Sequence, residues 1–388
     1  MDAPTPDDRP IVACYLPTFL AEEMLHVYRQ VTGLESVTPH VLTQKRRHAD
    51  RFPFPEAQLT VLPRPPGLIR EFRRLKRKHF APGPKMLSDG QTARIANTLN
   101  HLNASALHIY FGNTGLELLP VLRLRPRPCR MIVSFHGADA GVDLEKPAWR
   151  DAMSAVFEEA DAILARSESL ATELRALGCP AEKITIQRAG IPLADWPVIE
   201  RPFPAHGRLR LVQSGRLIEK KGYDLTLRAL STIRSTDFPD ATLEILGEGP
   251  LRTELETRAD RAGLKNAVHF RGFLDQAELR ETYEKAHAFL HPSRMGHDGN
   301  QEGVPNAMLE AMATGLPVFA TRHGGIPEAC PDEWLVDEED ASGLAEQLRS
   351  VLLNEGEWSA RSQRARQQIE EHFEQRAQIA VLEAIYAG

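Results

Sequence analysis

Short β-rich runs alternate with helix-period stretches along almost the whole chain, and the alternation starts twice. Strand-like runs fall at 11–16, 37–43, 58–62, 106–111, 131–135, 162–165 and 184–186, with helical patterns such as 21–31, 149–160 and 168–177 between them. A second series has strands at 209–213, 241–246, 267–270, 288–291, 317–320 and 334–336, and helices at 225–234, 251–262, 277–286 and 305–314. Such alternation buries both faces of a parallel sheet under helices. Two series in 388 residues predict an α/β chain with two Rossmann-like, doubly wound domains, since a single core stops growing at about 250–300 residues. Pro192, Pro197, Pro202 and Pro204 mark a linker at 191–207, between an N-terminal domain at 1–190 and a C-terminal one at 208–370. The helical tail, 371–388, is expected to pack back toward the first domain. Ligands of open parallel sheets sit beyond the carboxyl ends of the strands. Two such edges facing across a cleft would place function in the loops that follow strands.

Composition narrows the class. Residues 1–200 carry 25 Lys+Arg against 23 Asp+Glu and the remainder 22 against 30, so the net charge of −6 sits in the second half. A chain this acidic is not a general nucleic-acid binder. No run approaches the roughly 20 apolar residues of a membrane span. The acidic, Pro-rich start does not read as a secretory signal. Cys14, Cys129, Cys179 and Cys330 are widely spaced and read as free thiols rather than a zinc site or disulfides. A soluble cytoplasmic protein is expected.

The most informative stretch is Glu302-Gly-Val-Pro-Asn-Ala-Met-Leu-Glu310-Ala-Met-Ala-Thr-Gly-Leu-Pro317. Pro305 suits the first helical position, and Gly315 with Pro317 ends the helix. The first turn then offers free amides and the positive dipole end, an anion site. Glu302 precedes that turn, and Glu310 lies about 7–8 Å along the axis. An anion flanked by two polyols, as in a nucleotide sugar, fits that layout. Gly303 allows close backbone approach. Ser214-Gly215-Arg216-Leu-Ile-Glu-Lys-Lys221-Gly222 follows the first strand of the second series, and its cations suit a developing diphosphate charge. Lys220 is expected on the solvent side. No DxD pair stands out as a metal site; Asp237, Asp240 and Asp337–Asp340 read as turn and cap acids.

Two glutamates with seven residues between them, followed by Ala-Met-Ala-x-Gly-x-Pro-Val, resemble the signature of the retaining glycosyltransferases of family 4, which have the two-domain GT-B fold. The resemblance covers nearly all of 105–340. It implies that Glu302 contacts donor-sugar hydroxyls and Glu310 the ribose. Backbone around Gly303, Val304, Pro305 and Asn306 would meet sugar or diphosphate. The run from Gly215 is similar to the family's Gly-Arg-Leu…Lys-Gly motif, which gives Arg216 and Lys221 to the diphosphate. Ser134-Phe-His136-Gly-Ala-Asp139 matches a His-Gly-x-Asp element, so His136 would contact the transferred sugar near C6 and Asp139 the acceptor or nucleotide. Gly247-Glu-Gly249 looks like the family's Gly-x-Gly turn. Arg271-Gly-Phe273 matches the place where the base meets backbone groups. The family also implies metal-independent, front-face transfer with no cofactor beyond the nucleotide-sugar co-substrate, favouring a UDP-sugar, and a glycan or lipid-linked acceptor. The glycine-free loop at 15–23 departs from the Gly-Gly loop of many members and leaves first-domain phosphate contacts open. Pro17-Thr-Phe-Leu-Ala-Glu22 loosely resembles the polysaccharide-assembly branches. A phosphorylase or epimerase on the same architecture, and a non-catalytic nucleotide-sugar-binding scaffold, stay open as alternatives.

The basic stretch 68–80 places Leu68, Phe72, Leu75 and His79 on one helical face, with six Lys/Arg elsewhere. A helix packed on its own domain is the preferred reading. A helix lying at the inner membrane face on anionic lipid is the other.

Overall fold

The computed structural model describes residues 9–21, 24–79, 82–137, 139, 146–204, 209–297, 299 and 301–388, without the side chains of 73 and 76–79. Glu22, Phe80, the His79 side chain and the end of the 191–207 segment, all singled out above, lie outside these. The chain divides into two compact units, Met1–Gly190 with Arg376–Gly388, and Ile191–Gln375.

The first unit is built from β1 (Ile11–Leu16), α1 (Leu25–Thr32), β2 (Thr38–Thr43), β3 (Leu59–Val61), α2 (Gly67–His79), α3 (Asp89–His101), β4 (Ala106–Tyr110), α4 (Gly112–Glu117), α5 (Leu119–Leu122), β5 (Arg130–Phe135), α6 (Pro147–Glu159), β6 (Ala162–Ala165), α7 (Glu168–Ala176) and β7 (Ile184–Ile186). Its seven strands are all parallel, in the order β3-β2-β1-β4-β5-β6-β7. The strands are apolar on both faces because helices cover both. Val12, Cys14, Ala106 and Ile132 pack one way, and Ala13, Tyr15, Leu107 and Val133 the other.

The second unit runs β8 (Arg210–Ser214), α8 (Tyr223–Arg234), β9 (Thr242–Leu246), α9 (Arg252–Arg261), β10 (Val268–Gly272), α10 (Gln276–Lys285), β11 (Ala288–His291), α11 (Asn306–Ala313), β12 (Val318–Thr321), β13 (Leu335–Val336), α12 (Ala341–Leu352) and α13 (Glu355–His372). Its six parallel strands take the order β10-β9-β8-β11-β12-β13. In each sheet the order reverses once, at β1/β4 and at β8/β11. Doubly wound sheets bind ligands at such switch points. Asp275 caps α10 through the full capping box with Glu278, as the spacing predicts. Asp340 caps α12, and Cys14, Cys129, Cys179 and Cys330 are free thiols.

The proline-rich segment after residue 190 is part of the second unit. Ile191 and Trp196 are fully buried in its core. Arg201 donates to the carbonyls of Thr314 (2.7 Å) and Tyr283 (3.1 Å). The periodic tail is also broken, at Phe373, whose carbonyl accepts the Ile191 amide at 2.7 Å. Only the last helix, α14 (Gln375–Ala387), joins the first unit, where Ile379, Leu382 and Tyr386 enter the core beside Val12 and Ala106. The Tyr386 hydroxyl lies 2.7 Å from Nδ1 of the buried His108.

Helix α2 is the element that departs furthest from expectation. Leu68, Ile69, Phe72 and Leu75 are exposed, so the apolar face is not packed on its own domain.

Candidate functional site

In the second unit the loop after β8 is shaped by its neighbours. The buried Gln213 donates to the Lys221 carbonyl at 2.7 Å and accepts from Thr226 at 2.6 Å. Gly222 then turns with φ +62°, and a Cβ there would lie 1.8 Å from the Pro292 carbonyl oxygen, so only glycine fits. The Gly215 carbonyl accepts from the Tyr223 hydroxyl at 2.8 Å. The Gly247 amide donates to the Gly272 carbonyl at 2.7 Å, and the Leu217 amide to the Glu248 carbonyl at 2.9 Å. The turns after β8, β9 and β10 are thus stitched into one rim at the carboxyl edge.

Into this rim comes Glu302. Its Oε1 is 2.6 Å from Lys221 Nζ and 3.7 Å from Lys220 Nζ, with all three side chains largely buried. Lys220 also donates to the Gln301 carbonyl at 3.0 Å. The expectation that Lys220 faces solvent is therefore corrected: this loop turns both lysines inward, because Gly222 and the Pro292 carbonyl fix its path. Burial pushes the Glu302 carboxyl up, but the charges of Lys221, Lys220 and His291 and a hydrogen bond from Lys221 outweigh it and hold it down at about 2. The same burial lowers Lys220, against the pull of Glu302. Glu302 is an anion clamped between two cations.

The backbone of Glu302 is held as well. Its amide donates to Nε2 of His323 at 3.1 Å, so the His323 proton sits on Nδ1, which donates to Glu338 Oε1 at 2.7 Å. Gly324 and Gly325 leave room for this loop: a Cβ on Gly324 would lie 2.2 Å from the Glu302 carbonyl oxygen, and one on Gly325 2.9 Å from the Gly303 carbonyl carbon. Pro305 proves to be the cap of α11 rather than its first residue. Its ψ of 119° is extended, and its carbonyl accepts from Met308 and Leu309. Asn306 opens the helix, and its side-chain Oδ1 is buried without a partner among the described residues. Glu310 is buried one to two turns on, and its charge adds to the burial that raises the Tyr283 phenol well above its ordinary range. His291, at the end of β11, is fully buried, and neither ring nitrogen has a hydrogen-bond partner among the described residues. Burial, with Lys221 next, drives its pKa down to about 3.

Gly215, Lys221, Glu302, Gly303 and the start of α11 are therefore gathered at one edge. Arg216 is exposed at that rim. Arg271 points its guanidinium to Glu244 at 3.1 Å, and Phe273 is exposed beyond the Gly272 turn. His291, His323 and Glu338 were not found from sequence. The first two stand at or just past strand ends, and that position is the signal that marks them.

In the first unit His136 follows β5. Arg166, just past β6, donates to its Nδ1 at 3.2 Å, and His26 Nε2 is also 3.2 Å away. The His136 proton is therefore on Nε2, 3.1 Å from Ser134 Oγ. Burial, then the charges of Arg166, His26 and His108, hold the ring well below ordinary histidine values. It is a neutral hydrogen-bonding group. Asp139 accepts from the amides of His136 (2.8 Å) and Gly112 (2.7 Å), tying the β5 loop to the start of α4. Its two oxygens are occupied by the fold itself. Burial raises its carboxyl despite those bonds. Arg166 and His26 were missed because a single Arg or His carries no spacing signal.

Among the described residues no group of three or more His, Cys, Asp or Glu is placed to hold a metal ion, and no helix is long and apolar enough to cross a membrane.

Comparison with known proteins gives this edge a context. Residues 26–190 match the family described as "Glycosyl transferase 4-like domain", and 199–371 match "Glycosyl transferases group 1". The amylovoran biosynthesis glycosyltransferase AmsK of Erwinia amylovora is 30% identical over 313 residues, covering 80% of this chain and 75% of AmsK. WcaL of Escherichia coli, named for colanic acid biosynthesis, is 32% identical over 271 residues, and the match spans 66% of its length. Anabaena HepE, solved in complex with UDP, superposes with a TM-score of 0.75 at 14% identity, covering 97% of this chain and 99% of that one. Sucrose-phosphate synthase of Thermosynechococcus elongatus gives 0.74 at 17%, covering 98% of each. At such identities these structures speak for the fold. The chain belongs to the family-4 glycosyltransferases of GT-B fold, and it is similar to members named for colanic acid and amylovoran biosynthesis.

Proposed function

We propose that this protein is a retaining glycosyltransferase that moves a sugar from a nucleoside-diphosphate sugar, preferably a UDP-sugar, to a hydroxyl of a glycan or lipid-linked acceptor in polysaccharide assembly, without a metal ion. The observation that carries this reading is Glu302, an anion held between Lys221 and Lys220 beside the first turn of α11. Without donor, the lysines and the carboxylate neutralise one another. With donor, the diphosphate takes the lysines, Arg216 and the helix amides, and Glu302 is released to the sugar hydroxyls. Gly303, Val304 and Pro305 border the same anion, the Asn306 Oδ1, without a partner among the described residues, is assigned as an acceptor for a sugar hydroxyl, and Glu310 is assigned to the ribose. The Gly247 turn and the backbone from Arg271 to Phe273 are assigned to the base side. The UDP preference draws on HepE, which was solved with UDP and with UDP-glucose.

In the reaction proposed, the bond from the anomeric carbon to the diphosphate breaks as charge grows on the phosphate oxygen. Fixed cations stabilise that charge. The acceptor hydroxyl attacks the same face, and the departing phosphate oxygen takes its proton. Glu302, released to the sugar hydroxyls, is assigned to positioning the sugar rather than to covalent attack. His136, neutral, is assigned a hydrogen bond to the transferred sugar, with Asp139 bracing its loop.

The test is thermal unfolding of wild type and Arg216→Ala with UDP, GDP, ADP and CMP. One nucleoside diphosphate, at concentrations well above its dissociation constant, should raise the midpoint, and removing the exposed Arg216 should abolish the rise. Transfer from the matching sugar, with the product anomer read by NMR, then follows. No rise with any nucleotide would sink the donor site; a trapped glycosyl–Glu302 adduct would sink the front-face step.

A further inference from the structure

Helix α2 and the groove it walls serve no part of the donor chemistry. Leu68 is 87% exposed and Phe72 68%, with Ile69 and Leu75 exposed beside them. At 100° per residue, positions 68, 72 and 75 fall within one narrow stripe. Positions 70, 73, 74, 77 and 78 fall on the other side. The helix holds six Lys/Arg and one Glu in a chain whose net charge is −6. Beside it lies a groove of about 480 Å³ lined by Arg64, Arg70, Glu71, Arg74, Lys85 and Gln91, among others. Lys85 is paired with Glu117 at 2.6 Å and Arg74 with Glu71 at 3.3 Å. Arg64 and Arg70 have no acidic partner among the described residues.

We infer that α2 is a docking surface for an anionic lipid bilayer: its apolar stripe enters the acyl boundary, and the cations of the helix and groove take lipid phosphates. Three observations favour this occupant. A largely exposed Leu68 and Phe72 on one stripe are at odds with water, so something apolar is expected to cover them. The helix carries a net charge of +5 (six Lys/Arg, one Glu) while the rest of the chain sums to −11, so this face is attracted to an anionic surface. A second copy of the chain would fit badly, since a two-fold contact sets the same patch against itself and brings like charges together. An amphipathic helix with an apolar stripe and a Lys/Arg-rich opposite side is the form that lies in a membrane interface.

The test is sedimentation of the full chain with vesicles of phosphatidylglycerol and phosphatidylcholine, against phosphatidylcholine alone. Wild type should partition at least about tenfold better onto the anionic vesicles, and added salt should remove most of that. Leu68→Ser with Phe72→Ser should lower binding at least about tenfold. Arg70→Ser with Arg74→Ser should lower it up to about 25-fold, at about fivefold per cation. All four side chains are exposed, so the unfolding midpoint and its nucleotide response should not move, which separates this result from any failure of the donor site. Equal binding to both vesicle types, or variants that bind like wild type, would overturn the inference. So would a dimer in sedimentation velocity that Phe72→Ser dissociates, with no vesicle binding.

Discussion

The clamp on Glu302 has a size that the structure supplies. Its carboxyl titrates at about 2 in the folded chain against an ordinary 4.5. At 1.36 kcal/mol per pH unit, that difference is about 3 kcal/mol in favour of the ionised, folded form. Lys221, at 2.6 Å, is the largest of the charges responsible. Lys221→Met leaves a buried carboxylate with only the more distant Lys220. Glu302→Gln leaves two buried lysines facing a neutral amide. Removing one member of a buried pair costs about 3–5 kcal/mol, because the other stays desolvated. Each single variant should therefore lose about 3 kcal/mol, and the double variant no more than either, a coupling of about 3 kcal/mol. Calorimetric unfolding reads this in the transition that contains the second unit, where 1 kcal/mol moves the midpoint by about 2–4 °C. The pH dependence has a definite sign. A carboxyl depressed in the folded state contributes fully above about pH 4.5 and loses its contribution as pH falls through about 2. The coupling should be flat from neutral to about pH 5 and fall below half by about pH 3. Single variants that simply add, with coupling under about 0.5 kcal/mol, would refute the reasoning: the pair would then be a close approach without net energy.

Two further outcomes follow from neighbouring groups. Gly222 and Gly263 both have left-handed φ, +62° and +72°, but a Cβ at Gly222 meets the Pro292 carbonyl at 1.8 Å while Gly263 has open space. Gly263→Ala should lose only about 1–2 kcal/mol, whereas Gly222→Ala should also displace Lys221 and abolish the nucleotide-induced rise in unfolding temperature. Acid should weaken both units before Glu302 is protonated, because burial holds His108 and His291 at about 3. Their stabilising effect is complete above about pH 6.5 and declines as pH falls toward 3, at up to about 1.4 kcal/mol per pH unit for each ring. Urea midpoints that stay flat from pH 7 to 5 would show that the folded chain accommodates the protonated rings.

The fold was legible because it is written in local period. Strand positions such as 11–16 and 162–165 appear as β1 and β6 without adjustment, since a strand covered on both faces is a continuous apolar run. The donor edge was legible where Gly and Pro punctuate it, and Gly222 shows why: the glycine is dictated by a carbonyl more than sixty residues away, yet it leaves its mark locally. What the sequence did not disclose were the partners that arrive from other strands. His323 and Glu338 orient the Glu302 loop, and Arg166 fixes the tautomer of His136, but nothing in their spacing ties them to those residues. Lys220 was misplaced for the same reason, because the sense in which a loop turns is set by what it packs against. The linker was misread because proline density marks irregular backbone, which can be buried as well as exposed; Trp196 is the buried case.

The glycine-free loop after β1 can be explained on the same terms. A Gly-Gly loop is useful where backbone must approach a phosphate and donate its amides. Here the amide of Phe19 donates instead to the Lys45 carbonyl at 2.8 Å, and the Phe19 carbonyl accepts from Arg47 at 2.9 Å. The Phe19 ring is buried, with Phe54 packed against it edge-on at 5.2 Å and the Arg46 guanidinium over its face at 4.7 Å. The described part of this loop is therefore knitted to the loop after β2 and anchored by a side chain that glycine lacks. An amide already bonded in the fold is a poor phosphate donor, because a ligand would have to replace that bond before adding one. The proposed diphosphate site accordingly rests on second-unit groups alone, on Lys221, Lys220, Arg216 and the start of α11. With fewer donors to share the charge, each of those cations should matter more to nucleotide affinity here than where a glycine loop contributes.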